Sequence, residues 1–212
     1  GVLFLDEFPE FRRASVEALR QPLEERRILV SRLYGKVAYP AGFLLVAAMN
    51  PCPCGYYPDR NRCRCTAEQI RRYLGKISQP VLERMDLCVE MPEVSFREMR
   101  EKNAAESSES IRGRVKRAAA LQRERYAGTK LRYNSEAGQR ELAQFFRLSD
   151  ACQRRLQQSY EKRRFSVRSY HRMIRVARTI ADLDGSEAIE ERHMTEAICY
   201  HGMDAVYREE LR

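Results

Sequence analysis

Two adjacent carboxylates, Asp6 and Glu7, follow directly on the apolar run Gly1-Val2-Leu3-Phe4-Leu5. Buried-type side chains in succession read as a central strand of a parallel sheet, and ligands of such sheets sit just beyond the carboxyl ends of the strands. At that edge Asp6 can hold a Mg²⁺ that bridges nucleotide phosphates while Glu7 polarises an attacking water, the Walker B division of labour in phosphoryl transfer. A strand that merely ends at solvent in two acids has the same heptapeptide. Asn50 ends the later apolar run Phe43–Met49. Its neutral amide can orient a water beside a γ-phosphate without adding charge. Arg84 stands alone just ahead of Leu87-Cys88-Val89-Glu90-Met91. It suits an arginine finger reaching into a neighbouring subunit's site, or a surface ion pair with Glu83 or Asp86.

Four of the seven cysteines make a separate group. Cys52, Cys54, Cys63 and Cys65 fall within fourteen residues, in a stretch rich in Pro, Gly and Tyr. Four thiolates suffice for a tetrahedral structural Zn²⁺ or another soft metal. The spacing is C-x-C twice, where the robust zinc signature has two or more residues between ligands, so four reduced thiols that order nothing are the alternative. Cys88, Cys152 and Cys199 sit among apolar residues and read as small core side chains. His171, His193 and His201 show no mutual spacing that suits catalysis and are assigned no role.

The elements that must position these groups change character near residue 93. Before it, Phe8–Glu25 has apolar residues at helical spacing, with Pro22 bending its last turn. Residues 27–39 read as a β-hairpin with glycine in the turn, Phe43–Met49 as a second central strand and Leu87–Met91 as a shorter one. Strands and helices thus alternate, an α/β pattern. Glu93–Ser110 reads as a linker or weakly held helix. Helical patterns follow over Ile111–Tyr126, Leu148–Tyr160, from Ser166 to the stop at Asp184-Gly185, and over Glu190–Tyr200. The fold class is therefore α/β followed by all-α.

Composition bounds the function. The 212 residues, 43% hydrophobic, can bury one large core or two small ones. The net charge of +9 rests on 39 basic residues, six Lys and 33 Arg, a bias that suits phosphate and carboxylate forks. Acids and bases alternate through Arg97–Arg125, so most of this charge reads as solvated helix faces. No apolar stretch approaches the ~20 residues of a membrane span, and a soluble, cytoplasmic protein is expected. The start within a strand reads as the carboxy-terminal portion of a longer parent.

In this order Gly1–Glu7, Ala48–Gly55, Pro80–Leu87, Ser166–Tyr170 and Arg175–Asp182 resemble the magnesium-chelatase-like AAA+ ATPases of the ComM/YifB type, nearly end to end. The resemblance implies a partial AAA+ core over residues 1–92, a linker over 93–110 and a helical lid over 111–212. It implies that Asp6 and Glu7 are Walker B, Asn50 sensor 1, Arg84 the arginine finger and Arg168 sensor 2. A cation in the first turn of a helix is disfavoured by the dipole, and a γ-phosphate would meet that requirement at Arg168. The resemblance further implies ATP and Mg²⁺ as cofactors and a ring, commonly hexameric. In the related MCM helicases the corresponding hairpin faces DNA, which makes Lys36, and less strongly Arg32, candidate DNA contacts. The parent's implied activity is ATP-driven DNA remodelling of the branch-migration helicase type, in recombination and natural transformation. The alternatives are a chelatase-type motor acting on a protein partner during metal insertion and a zinc-stabilised interaction module. One departure is plain: the chain has no G-x-x-x-x-G-K-[ST] loop, and Gly75-Lys76 does not supply one. This portion alone is expected to bind ATP poorly and to be inactive.

Overall fold

The computed structural model describes residues 1–32, 35–100, 106–163 and 166–201. The chain divides between Met85 and Asp86 into two compact units. The first is α/β and the second helical, as the sequence pattern predicts.

In the first unit β1 (Val2–Leu5) pairs in parallel with β4 (Leu44–Ala47), in the register Val2↔Leu44 to Leu5↔Ala47. Exposure alternates along both strands. Leu5, Ala47 and Met49 pack on a small core of Phe8, Val16, Ile77 and Val81, while Val2, Phe4, Leu44 and Val46 are exposed on the other face. The central-strand pattern is thus present in the residues but covered on one side only, because β1 and β4 pair with each other alone among the described strands. The helix expected over Phe8–Glu25 is broken. A 3-10 turn at Phe8–Glu10 is followed by α1 (Arg13–Ala18) and α2 (Arg20–Glu25), which meet at Leu19. Pro22 falls in the first turn of α2, where its missing N–H is harmless, so it starts a helix rather than bending one. Arg26, in left-handed conformation, ends α2.

The hairpin forms as β2 (Arg27–Arg32) and β3 (Gly35–Pro40), antiparallel, with Arg32 opposite Gly35. Leu33 and Tyr34, expected in its turn, lie outside the described residues. Both strands are exposed on nearly every side chain, Arg32 and Lys36 included. After β4 a loop without strand or helix runs to α3 (Ala67–Leu74), which Thr66 and Gln69 close with a reciprocal capping box. A short helix, α4 (Gln79–Leu82), completes the unit.

The second unit opens with Leu87–Met91, which is not a strand. A strand requires a neighbour, and here Leu87, Val89 and Met91 are exposed and no described strand pairs with the segment, although the Cys88 N–H donates to the Tyr200 carbonyl at 2.9 Å. The stretch expected as a linker or weakly held helix contains α5 (Phe96–Arg100) and the start of α6 (Ser108–Arg125), capped by the Ser107 hydroxyl. Then come α7 (Gln139–Phe145), α8 (Asp150–Arg163), α9 (Val167–Leu183) and α10 (Glu191–Tyr200). Their core gathers Tyr126, Phe146, Leu156, Met173, Ile189 and Met194. Cys152 belongs to it, but Cys88 is only part-buried and Cys199 exposed, so the core reading holds for one cysteine of the three. No described helix is long and apolar enough to cross a membrane.

Candidate functional site

The parallel pairing decides where the acidic pair lies. The Leu5 carbonyl accepts from Ala48 N–H and the Ala48 carbonyl from Phe8 N–H, both at 2.9 Å, so the chain just past β1 is laced to the chain just past β4. Asp6 and Glu7 therefore share one sheet edge with Ala48-Met49-Asn50. All three polar side chains are exposed there. Asp6 Oδ1 accepts the Glu7 N–H at 2.9 Å. Glu7 itself is left-handed, φ 49° and ψ 45°. A non-glycine residue held in that region costs of order 1 kcal/mol and persists only where the surroundings fix it, here the Phe8–Ala48 bond.

Asn50 is held from α3. The Tyr73 hydroxyl is hydrogen-bonded to the Asn50 backbone, and burial raises the Tyr73 pKa above its ordinary value. Lys76 lies 5.4 Å from the Tyr73 ring centre and pairs with Glu10 at 2.9 Å, so Gly75-Lys76 has a structural use unrelated to a phosphate loop. Tyr73 was not singled out by sequence reasoning. It stands 23 positions from Asn50 in sequence, and only the returning loop brings them together.

Arg84 is not paired with either sequence neighbour in the described contacts. Its guanidinium donates to Glu24 of α2 and, at 2.6 Å, to the Pro80 carbonyl, and its side chain is 10% exposed. Asp86 instead meets Arg172 of α9, within the second unit, at 3.2 Å. Burial lowers the Arg172 pKa from its ordinary value and Asp86 opposes that shift.

Arg168 occupies the first turn of α9 and is exposed; Ser166 caps that turn through the Ser169 N–H at 3.2 Å. The same helix carries a buried polar cluster. Asp182 accepts from Arg125, from Arg178 at 3.1 Å and from Asn134 Nδ2 at 2.8 Å, while Tyr126 donates to Asn134 Oδ1 at 3.0 Å. The Tyr126 hydroxyl is pushed up to about 12 by burial. His193, buried, accepts the Glu190 N–H on Nδ1 at 3.0 Å and meets Asp184 through Nε2 at 3.1 Å, which makes it a helix-start residue.

Cys52, Cys54, Cys63 and Cys65 converge. Their sulfurs all lie within 4.8 Å of one another, with Cys52 and Cys63 buried, Cys65 intermediate and Cys54 exposed. The Cys54 thiol is lowered to about 6, first by a hydrogen bond from the Tyr56 backbone, and Cys65 is pushed up to about 12 by burial. The cluster can hold a metal ion.

Comparison with known proteins bears on both units. The family described as magnesium chelatase, subunit ChlI, matches residues 1–99, and the family of its C-terminal part matches residues 105–201. Competence protein ComM of Haemophilus influenzae is 41% identical over 204 residues, covering 96% of this chain and 39% of that protein. The uncharacterized protein YifB of Escherichia coli is 41% identical over 206 residues, covering 96% and 40%. YifB of Salmonella typhimurium is 40% identical over 205 residues, covering 96% and 40%. The chain thus spans about two fifths of the length of these relatives.

Proposed function

Because the chain belongs to the magnesium-chelatase-related family of ComM- and YifB-like proteins, we propose that it carries the hydrolysing and sensing residues of an ATP-driven motor. The observation that carries this reading is the edge shared by Asp6, Glu7 and Asn50, fixed by the Leu5–Ala48 and Ala48–Phe8 hydrogen bonds. Asp6, exposed beyond the strand end, suits an oxygen ligand for Mg²⁺, and the left-handed Glu7 suits a base facing the phosphates. Magnesium-bound ATP would supply a phosphoryl group whose developing charge the cation neutralises. Glu7 would take the proton of the attacking water, and Asn50 would orient that water without adding negative charge. Arg168 on α9 is the sensor 2 candidate and Arg84 the arginine finger candidate, acting between subunits of a ring. The 212 residues contain no G-x-x-x-x-G-K-[ST] sequence, so the residues named here would act on the nucleotide without forming a Walker A grip on it.

Asn50→Ala in the full-length protein tests the shared edge. It should leave ATP binding within a fewfold of wild type and reduce turnover by two orders of magnitude or more. Undiminished turnover would remove Asn50 from the site.

For the work done with ATP, we favour remodelling of branched DNA. The hairpin presents Arg32 and Lys36 to solvent, and one relative is named a competence protein. Each phosphate contact made by a cation releases counterions, so binding should weaken steeply with salt. Lys36→Glu should reduce the affinity of the full-length protein for branched DNA and flatten its salt dependence by about one unit of slope. Unaltered DNA binding, with ATP turnover driven instead by a protein partner, would favour the chelatase-type reading.

A further inference from the structure

The loop from Asn50 to Thr66 has neither strand nor helix, yet both ends serve the candidate site. It leaves from Asn50 and returns into α3, whose Tyr73 hydroxyl meets the Asn50 backbone. Gly55, in left-handed conformation at φ +82°, neighbours the Asn50 side chain, which a Cβ there would meet in ordinary contact at 3.9 Å. Tyr57 is the one buried side chain of this loop besides Cys52 and Cys63, and a metal held by its cysteines would cross-link the rest. At its centre the sulfurs of Cys52 and Cys54 stand 3.3 Å apart, Cys54 and Cys63 3.6 Å, and Cys52 and Cys63 3.8 Å. With Zn–S bonds of about 2.3 Å, tetrahedral geometry sets sulfurs about 3.8 Å apart. Three of the four sulfurs therefore stand at about the spacing that ion requires, and Cys65 Sγ lies within 4.8 Å of each of them.

Two further observations point to a ligand. Backbone groups of Tyr56, Cys65 and Cys54 hydrogen-bond the sulfurs of Cys54, Cys63 and Cys65 respectively, and a backbone donor is an N–H, the group that orients thiolates and supports their charge. Four thiolates around a divalent cation leave two negative charges, and the same loop carries Arg60, Arg62 and Arg64. Arg60 and Arg62 lie over the rings of Tyr57 and Tyr56, at 4.8 and 4.1 Å, which keeps both cations on the loop. The C-x-C spacing, short for one metal, works because both pairs aim their sulfurs at the same point.

We propose that Cys52, Cys54, Cys63 and Cys65 hold one structural Zn²⁺, and that this ion fixes the Asn50–Thr66 loop and thereby holds Asn50 at the sheet edge. The second half rests on the nucleotide reading of Asn50; the first does not. Binding converts thiols to thiolates, and the displaced protons go to solvent.

The test is metal analysis of the full-length protein expressed without a histidine tag and purified without chelator. One zinc per chain is expected, released stoichiometrically by an organomercurial that titrates the thiols. Cobalt added to the stripped protein should give the absorption bands of a tetrahedral tetrathiolate, which keeps the test independent of whether variants fold. Cys52→Ser combined with Cys63→Ser should lose the zinc, and Cys88→Ser should keep it. Removal of zinc should raise amide hydrogen exchange across residues 50–73 at least tenfold and leave residues 167–183 unchanged. A metal-free protein with four free thiols, two disulfides in their place, or bound iron would each overturn the zinc centre. Zinc present but exchange at Asn50 indifferent to its removal would overturn the positioning role. Turnover unaffected by Asn50→Ala would instead strike the nucleotide reading and leave the zinc result standing.

Discussion

Arg84 shows how a residue of plain chemistry can be held in an unexpected way. An arginine finger must reach another subunit's phosphates, and in this chain the guanidinium is held by Glu24 and the Pro80 carbonyl. Exchange of one carboxylate for a phosphate is an electrostatically modest change, because both accept the same planar fork. Glu24 would then hold Arg84 ready until a nucleotide-loaded neighbour docks. In the full-length protein Arg84→Ala should lower ATP turnover by on the order of a thousandfold, the scale of other arginine fingers, while Glu24→Gln should leave turnover at or above wild type. Equal, mild losses in both variants would mean that the pair only braces α2 against α4. The strand-end placement of Asp6, Glu7 and Asn50 was legible in the sequence because each follows an apolar run, a local signal. Glu24 and Tyr73 were not, because their partners lie 60 and 23 positions away and carry no mark of the pairing.

Among the elements, α9 was the most legible, since a serine cap, apolar residues every three or four positions and Asp184-Gly185 at the end all agree. What the spacing hides is that α9 also buries charge. Arg178 and Asp182 are 3% and 2% exposed, and Arg125 of α6 joins them. Asp182 offsets two guanidinium groups at once, so its removal leaves buried cations without a counter-charge. Asp182→Ala should cost about 3–5 kcal/mol, seen as a lower denaturant midpoint at unchanged slope. A cost below about 1 kcal/mol would show that water or rearranged side chains replace the carboxylate. Leu87–Met91 was misread for the opposite reason. Its apolar residues satisfy the strand pattern, but a pattern does not supply a neighbour, and no described strand pairs with it. Pro22 likewise signals a break, and only its position relative to the helix start decides whether it begins or ends one.

At the scale of the whole chain, the change from α/β to helical texture was readable from the spacing of apolar residues, and two compact units divide at Met85. The unit boundary itself was not, because the expected α/β region ran on through Leu87–Met91 on the strength of that unformed strand. The first unit presents two candidate surfaces, the Asp6–Asn50 edge and the exposed hairpin with Arg32 and Lys36. The role proposed for Glu7 is activation of the water that attacks ATP. It is tested most directly by measuring ATP binding and single-turnover hydrolysis side by side in full-length wild type and Glu7→Gln. The glutamine keeps shape and polarity but cannot take a proton, so nucleotide affinity should stay within a fewfold while hydrolysis falls by at least a hundredfold. Hydrolysis at the wild-type rate in Glu7→Gln would contradict the account.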